Sequence, residues 1–371
     1  MRTPSLSALA VCILGTLSLS SPVFAVDYSI TGLGTLGGST SYALGINNYG
    51  QIVGDSSVAG NATSYAYAYS NGVMTNLGTL SGTTGSYAVG INNNGQIVGN
   101  TYTGMYTSSH AFIYSNGSMQ DIGTLGGSSS IILGSGINNS GQVVGISGTT
   151  GGAAMHAFLY NNGRISDLTL STGLDWAVDI NDSGQIAGMN TSSHASLYSN
   201  GNLTDLGTLG GQTSFTTELN NNGQVVGASY VAGNTNLHAF LYSNGGMIDL
   251  GAQPGMDSYA FGINAGGMVV GQLQVVPGQF GPANSYRAFL YNNGAMTDLN
   301  TLLAADSGWT LYSATSINDW GQIVGTGNFN GLDQAFLLTP TTSAVPLPGA
   351  AWLLGTGLLG LLGIARRKRR A

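Results

Sequence analysis

Short runs of β-branched, aromatic and small residues recur along the chain, as in residues 86–91, 96–99, 110–114 and 118–122. Runs of this composition that are bounded by turn residues are typical of β-strands. Turns rich in Asn and Gly separate the first run from the second and the third from the fourth, and both residue types tolerate the left-handed backbone of tight hairpins. The pattern therefore predicts two hairpins, which together form a four-stranded meander.

This meander is one unit of a repeat. A motif that reads Gly-Ile-Asn-Asn-Tyr-Gly-Gln-Ile-Val-Gly at residues 45–54 occurs seven times, with substitutions. The copies begin at Gly45, Gly90, Gly136, Asp179, Glu218, Gly262 and Ser316. Their spacing of 39 to 54 residues is the size of a β-propeller blade, whereas one turn of a parallel β-helix is much shorter.

The two ends of the repeat region predict that the array closes into a ring. The seventh unit stops at Pro340 after its third strand, and residues 28–36 resemble the missing fourth strand, as comparison with residues 121–125 shows. A first segment that completes the last unit requires the two ends to meet, and closure removes exposed strand edges. We therefore predict an all-β, seven-bladed β-propeller over residues 26–340, closed by its amino-terminal strand.

Antiparallel strand order assigns the loops of this propeller to two faces. Both hairpins of every blade lie on one side, which we call the hairpin face. The loops between second and third strands and the connections between blades lie on the other side, the loop face. Loop-face segments vary in length from the short residues 189–194 to the long residues 272–287, so we expect ligand binding on this face.

The amino-acid composition argues against nucleic-acid binding and against disulfide bonds in the predicted propeller. Charged residues make up only 6% of the chain, which contains 60 glycines. All 15 acids lie within residues 26–340 together with only Arg164 and Arg287, which gives this region a net charge of −13 with neutral histidine. Such a surface repels phosphate backbones and argues against nucleic-acid binding. The single cysteine, Cys12, lies outside the predicted propeller, which therefore has no disulfide.

The amino terminus reads as a signal peptide over residues 1–25. Arg2 precedes an apolar run, and the cleavage site is predicted between Ala25 and Val26. Two alternatives are a first transmembrane helix and a lipoprotein signal at Cys12. Serine and threonine interrupt the run and Pro22 follows it, and the residues around Cys12 match a lipoprotein signal poorly, so we favour the signal peptide.

The carboxyl terminus reads as a linker and a membrane-spanning helix. Residues 341–348 contain a proline motif formed by Val345, Pro346, Leu347 and Pro348. Residues 349–365 carry no charge and are just long enough to cross a bilayer, and residues 366–371 follow as a basic tail. The basic residues are Arg366, Arg367, Lys368, Arg369 and Arg370. This cluster predicts a cytoplasmic carboxyl end.

Two family resemblances rest on these residues. The tail resembles the PEP-CTERM sorting signal in its Val-Pro-Leu-Pro variant, and the repeats are similar to the HAF family of extracellular repeats, named for the His-Ala-Phe found here at His110, His156 and His238. The first resemblance implies a Gram-negative bacterium that makes extracellular polysaccharide and an exosortase-type enzyme that processes the tail. It also implies transient anchoring in the inner membrane before release to the cell surface or matrix. The HAF family carries no established activity.

Histidines and aspartates repeat at fixed places in the units. The histidines are His110, His156, His194 and His238, and the aspartates are Asp121, Asp167, Asp205, Asp249 and Asp298. Because each set is distributed over different blades, we expect repeated hydrogen bonds instead of a metal or catalytic site. Residues 179–184 resemble the start of a calcium loop, but Asn190 stands where such loops need Glu. The sequence thus predicts no metal, no cofactor and no catalytic residue.

Aromatic side chains on the loop face are the candidate ligand-binding residues, because aromatic faces among amides and hydroxyls suit sugar rings. They are Tyr102, Tyr106, Tyr230, Phe280 and Tyr286. The alternative, which we favour for any single one, is that these rings pack the loops onto the blades.

The expected function is that of an exported, non-enzymatic protein with a structural or polysaccharide-binding role. A propeller hydrolase or lyase acting on the same polymer is the alternative, and a membrane-retained sensor is a third class. The enzyme requires acids that converge, whereas the loop acids are scattered over several blades. These acids are Asp55, Asp175, Asp257 and Asp306.

Overall fold

The computed structural model describes residues 27–104, 108–152, 154–276 and 285–341, which form seven four-stranded antiparallel sheets. The strands are β1 (Tyr28–Gly32), β2 (Gly37–Ile46), β3 (Ile52–Val58), β4 (Ser64–Ser70), β5 (Val73–Gly78), β6 (Gly85–Ile91), β7 (Ile97–Thr103), β8 (Ser108–Ser115), β9 (Ser118–Asp121), β10 (Gly126–Ile131), β11 (Val143–Thr149), β12 (Met155–Asn161), β13 (Arg164–Asp167), β14 (Leu174–Ile180), β15 (Ile186–Asn190), β16 (Ala195–Ser199), β17 (Asn202–Asp205), β18 (Gly210–Leu219), β19 (Val225–Val231), β20 (Leu237–Ser243), β21 (Gly246–Gly251), β22 (Ser258–Ile263), β23 (Val269–Gln274), β24 (Tyr286–Asn292), β25 (Ala295–Asp298), β26 (Trp309–Ile317), β27 (Ile323–Phe329) and β28 (Leu332–Pro340). A short helix α1 spans Thr169–Thr172, and a 3-10 helix spans Leu299–Leu302.

Each sheet is one blade of a seven-bladed propeller. Blades 1 to 6 contain β2–β5, β6–β9, β10–β13, β14–β17, β18–β21 and β22–β25, and blade 7 contains β26, β27 and β28 with β1 as its fourth strand. In blade 7 Tyr28 pairs with Pro340 and Gly32 pairs with Phe336. The predicted closure of the ring by the amino-terminal strand is therefore confirmed.

The Asn-Gly hairpins between the third and fourth strands have the predicted left-handed backbone. Their asparagines have φ between 50° and 53°, at Asn71, Asn116, Asn162, Asn200, Asn244 and Asn293. The glycine that follows has φ near 80° in each case, as in Gly117 at 78°. Two successive residues with positive φ match the right-handed twist of the strands they join.

The core lies between neighbouring sheets, and the phenylalanine of the His-Ala-Phe motif packs there. The phenylalanines at this position are fully buried, at Phe112, Phe158, Phe240, Phe289 and Phe336. Each ring covers a glycine of the second strand. A Cβ added to Gly99 would lie 2.8 Å from Cζ of Phe112 and 2.1 Å from the carbonyl oxygen of Tyr87, so a larger residue there would force the strands apart.

The first asparagine of each motif copy joins its blade to the next. In all seven copies its side-chain Nδ2 donates to the backbone carbonyl of the equivalent asparagine one blade further, at 2.9 to 3.1 Å. Its Oδ1 accepts from the backbone amide four residues later, as from Gln96 in the case of Asn92. These asparagines are buried and form a closed ring of hydrogen bonds at the hairpin face.

Several predictions from the sequence lie outside the described residues. They concern the signal peptide with Ala25 and Val26, the proline motif, the apolar run at residues 349–365 and the basic tail. Within the described ranges, no helix is both long and apolar enough to cross a membrane.

Candidate functional site in the central channel

The first strands of the blades surround a channel, and its half nearer the loop face is an apolar chamber of about 630 Å³. The residue immediately before each motif copy lines it, namely Leu44, Val89, Ser135, Val178, Thr217, Phe261 and Thr315. Trp176 and Phe215 add aromatic surface. A cavity of this size with mostly apolar walls is typical of a small-molecule or oligomer site.

The half of the channel nearer the hairpin face is a smaller polar chamber of about 160 Å³. The ring of motif asparagines lines it, with the neighbouring Asn48, Asn93, Asn139 and Asn221. Ser135 borders both chambers. The channel therefore changes from apolar to polar along its length.

Asp179 and Glu218 lie at this change, on the first strands of adjacent blades 4 and 5. They occupy the first position of the motif, where other copies have glycine or serine. Asp179 Oδ1 accepts from the backbone amide of Gly136 at 3.1 Å and Oδ2 accepts from that of Leu219 at 2.9 Å. Glu218, the only glutamate in the chain, accepts from the amide of Ile263 at 2.8 Å.

Burial raises the pKa of both carboxyls. Burial raises the pKa of Asp179 to about 7. Burial and the nearby charge of Asp179 raise the pKa of Glu218 well above its usual value. Two carboxyls that interact at close range share protons, so the pair titrates as a unit.

The hydrogen bonds assign the proton within this pair. Both oxygens of Asp179 accept from backbone amides, and these hydrogen bonds favour its ionised form. Glu218 Oε1 instead lies 3.3 Å from the hydroxyl of Ser135, which can accept as well as donate. Asp179 is thus the member of the pair that ionises first as pH rises, and Glu218 keeps its proton to higher pH. Among the residues that line the two chambers there is no Arg, Lys or His to balance the charge.

Two of the predicted loop-face aromatics, Tyr230 and Tyr286, lie near Tyr259 and Asp257. The hydroxyl of Tyr259 donates to Asp257 Oδ2 at 3.3 Å. Burial raises the pKa of Tyr259, and the charge of Asp257 raises it further. The ring of Tyr259 stacks on Phe261 at 6.3 Å, so this tyrosine group adjoins the wall of the apolar chamber.

Tyr102 has the packing role that was the alternative for these aromatics. Its ring lies over Gly85, where an added Cβ would be 2.3 Å from the ring, and its centroid is 6.4 Å from that of Tyr87. It also borders a cavity that contains Asp55. Burial raises the pKa of Asp55 to about 7. The remaining candidates, Tyr106 and Phe280, lie outside the described residues.

The loop acids are separate from the channel pair. Asp55 lies between blades 1 and 2, and Asp257 accepts from the backbone amide of Leu237 at 2.9 Å. Asp175 and Asp306 border neither chamber. The scatter of the loop acids is as predicted, but the sequence reasoning missed Asp179 and Glu218. Their signal was two acids at a motif position that otherwise carries glycine or serine.

Four of the five repeated aspartates each meet a repeated histidine within their own blade. His110, His156, His194 and His238 contact Asp121, Asp167, Asp205 and Asp249 through Nδ1 at 2.6 to 2.9 Å. Asp121, Asp205 and Asp249 also accept from the backbone amide two residues later, as Asp121 does from Gly123 at 2.7 Å. Asp167 accepts instead from the amide of Leu170, three residues later, at 3.2 Å. In the part of the chain that the structure describes, no group of three or more His, Cys, Asp or Glu could hold a metal ion.

Residues 179–184, which resemble the start of a calcium loop, make hydrogen bonds to neighbouring blades. Asp179 lines the channel, and Asp182 accepts from the backbone amide and the side-chain amide of Asn139, both at 2.8 Å. The two carboxylates therefore bind neighbouring blades.

Comparison with protein families gives one match. A family described as a protein of unknown function, DUF3466, matches residues 166–336, from the end of β13 into β28. A comparison with curated proteins found no match.

Three solved structures illustrate the structural similarity. TolB from Acinetobacter baumannii has a TM-score of 0.41 and 11% identity over 83% of this chain and 65% of its own, so this chain spans less than two thirds of it. A gluconolactonase from Xanthomonas campestris has a TM-score of 0.38 and 9% identity. The match covers 85% of this chain and 91% of the gluconolactonase chain. Trypanosoma rangeli sialidase in complex with sialic acid has a TM-score of 0.40 and 10% identity. The match covers 89% of this chain and 60% of the sialidase chain. Similarities this low carry no functional argument.

Proposed function

We propose that the protein is exported and acts at the cell surface or in the extracellular matrix as a non-enzymatic protein that binds polysaccharide. An exosortase-type enzyme processes its tail after transient anchoring in the inner membrane. The binding site is the apolar chamber, entered from the loop face. The observation that carries this proposal is the aromatic wall formed by Trp176, Phe215 and Phe261 in a space of about 630 Å³.

The chemistry of the chamber suits a sugar chain. Aromatic faces stack on the apolar faces of pyranose rings, while hydroxyl and amide groups bind their edges. Thr217, Thr315 and Gln272 supply such groups in the same wall. The region's net charge of −13 favours a neutral or basic polymer over an acidic one.

A glycan array with the purified full chain tests binding, and a reducing-sugar assay on the bound glycans tests turnover. We expect binding without product release. Trp176→Ala should lower the affinity about tenfold, which corresponds to about 1.4 kcal/mol. Trp320→Ala, which removes an exposed tryptophan on the hairpin face, is the control and should leave glycan affinity unchanged. Equal affinities for both variants would contradict the proposed site.

The second candidate is a polysaccharide hydrolase, and one observation favours it. Asp179 and Glu218 provide an ionised and a protonated carboxyl in one channel, which is the combination that acid–base glycoside hydrolysis uses. Product release by the wild type that Glu218→Gln abolishes, with binding retained, would replace the non-enzymatic function. The same preparations give the mature termini by mass spectrometry, which tests cleavage after Ala25 and removal or retention of the tail.

A further inference from the structure

Two aromatic side chains project from the hairpin face at the junction of blades 7 and 1. Trp320 is 73% exposed and Tyr49 is 76% exposed. The other copies have small or polar residues at this hairpin position, namely Asn94, Ser140, Ser183, Asn222 and Gly266. The aromatic pair is thus restricted to the two blades at which the ring closes.

The indole of Trp320 is held in place with its apolar surface outward. Its Nε1 donates to the backbone carbonyl of Asn48 at 2.9 Å, and Tyr49 is the next residue along that hairpin. Because the indole hydrogen is already bonded within the protein, the part of the side chain left exposed is the apolar ring. An exposed ring that is fixed in this way loses little side-chain entropy on contact with a partner.

The chain leaves the propeller beside this pair. β28 ends at Pro340 on the hairpin face, and a Cβ added to Gly321 would lie 3.4 Å from Cγ of Pro340. The backbone amide of Thr341 donates to the carbonyl of Asp27 at 2.8 Å. The described chain therefore ends next to Trp320 and is fixed there by its contact with Asp27.

The sequence that follows limits how far this face can move from a membrane. Eight peptide steps separate Thr341 from Gly349, where the uncharged run begins, and about 3.5 Å per residue gives a reach of at most about 28 Å. This step rests on the membrane-spanning tail of the proposed function. A tether this short holds the hairpin face at a high effective concentration near the lipid.

We infer that the hairpin face around Trp320 and Tyr49 contacts the non-cytoplasmic surface of the membrane while the tail is inserted. Tryptophan and tyrosine favour the headgroup region, where an apolar ring and a polar group are both accommodated. Asp319 on this face is already bonded, to the amide of Ala265 at 2.9 Å and to Asn48 Nδ2 at 2.7 Å. Its charge favours a largely zwitterionic lipid surface.

This orientation directs the apolar chamber away from the membrane. The chamber lies nearer the loop face, on the opposite side of the ring from Trp320. A polysaccharide could therefore enter it before the protein is released.

Spin labels on the full chain in vesicles of phosphatidylethanolamine with a minor fraction of phosphatidylglycerol test the contact. Cys12 is the only cysteine, so Cys12→Ser allows a single label at Tyr49→Cys. The matched control is Leu170→Cys, which is 81% exposed in α1 on the loop face. We expect the ratio of oxygen to aqueous nickel accessibility to be several-fold higher at position 49 than at 170. Equal, water-like ratios, or a full chain that does not insert, would overturn the inference.

A second variant separates an aromatic contact from simple tethering. With the label at Asn94→Cys, on the neighbouring hairpin, Trp320→Ser should reduce the membrane-depth signal while the chain stays inserted. An unchanged depth signal with weakened glycan binding would overturn the inference and make Trp320 part of a second polysaccharide site. Failure of the proposed polysaccharide binding has a different signature, since it would abolish the effect of Trp176→Ala on glycan affinity and leave the depth signals as they are.

Discussion

The side-chain amide of Asn318 lies 3.1 Å from the backbone carbonyl oxygen of Asn47, so the last blade binds the first by the same hydrogen bond that joins the other neighbouring blades. Ring closure therefore has two components. On the outside β1 completes blade 7, and on the inside the asparagine ring continues without a gap. The repeated motif is explained by this joint, because the asparagine amide supplies a donor to the next blade and an acceptor for its own turn at the same time.

Asn92→Ala should lower the free energy of unfolding by about 2 to 4 kcal/mol, since it removes a buried side chain that makes several hydrogen bonds. Asn92 is 5% exposed. It bonds Asn138, Gln96 and the amide of Asn94. Urea unfolding followed by circular dichroism measures the change.

Asn94→Ala is the matched control in the same hairpin. Asn94 is exposed and donates through its side chain to the carbonyl of Asn139 at 2.6 Å. We expect a loss of less than about 1 kcal/mol, because an exposed hydrogen bond exchanges readily with water. Similar losses for the two variants would show that the asparagine ring is not the main joint between blades.

The channel pair should make the protein less stable as pH rises from about 4 to about 7. The pKa of Asp179 is raised from 3.8 to about 7 and that of Glu218 is also raised, so the folded state binds more protons than the unfolded state in this window. Unfolding free energy then falls with pH and becomes level once the folded-state groups have ionised. Each proton contributes a slope of up to about 1.4 kcal/mol per pH unit.

Glu218→Gln should flatten this pH dependence. Glutamine keeps the acceptor for Ile263 and offers a donor to Ser135, whereas Asp179→Asn would place an amide group against the backbone donors of Gly136 and Leu219. Denaturant unfolding at several pH values measures the slope. Asp306→Asn, at an exposed loop position, should leave it unchanged.

Selective labelling gives an independent measurement of the same site. Because Glu218 is the only glutamate, carbon-13 glutamate yields a single side-chain carboxyl resonance. We expect this resonance to titrate well above the normal range for glutamate. A normal titration near pH 4 would disprove the assignment of the proton to Glu218.

Local features of the sequence determine the blades, whereas the channel site depends on the closed ring. The hairpins follow from Asn-Gly turns, and the closure follows from the match between residues 28–36 and the missing strand. Asp179 and Glu218 are 39 residues apart in the sequence and meet only because equivalent positions of adjacent blades face one channel. The aromatic pair Trp320 and Tyr49 was missed for a related reason, since loop length directed attention to the opposite face.

The contacts between histidine and aspartate should contribute little to stability and should not need metal. His238 is paired with Asp249 at 2.9 Å, and both are partly exposed. Exposed pairs of this kind contribute less than about 1 kcal/mol. His238→Gln, which copies the residue at the equivalent Gln334 of blade 7, should change the free energy of unfolding by no more than that.

Metal dependence is checked in the same melting experiment. Addition of a chelator or of zinc should leave the melting temperature of the wild type unchanged. A zinc-dependent increase that His238→Gln reduces would indicate that these histidines bind metal.

Tyr67→Phe should stabilise the protein by about 1 to 2 kcal/mol. Tyr67 occupies in blade 1 the position that Phe112 and four further phenylalanines occupy in other blades, and it is fully buried. Among the described residues its hydroxyl has no hydrogen-bond partner. A buried hydroxyl that loses its bonds to water costs about 1 to 3 kcal/mol, and phenylalanine removes that cost without changing the ring. Tyr69→Phe, two residues along the same strand and only partly buried, is the control and should change the free energy of unfolding by less than about 0.5 kcal/mol. If Tyr67→Phe destabilised the protein instead, the hydroxyl would have to be bonded to an ordered water or to a group outside the described residues.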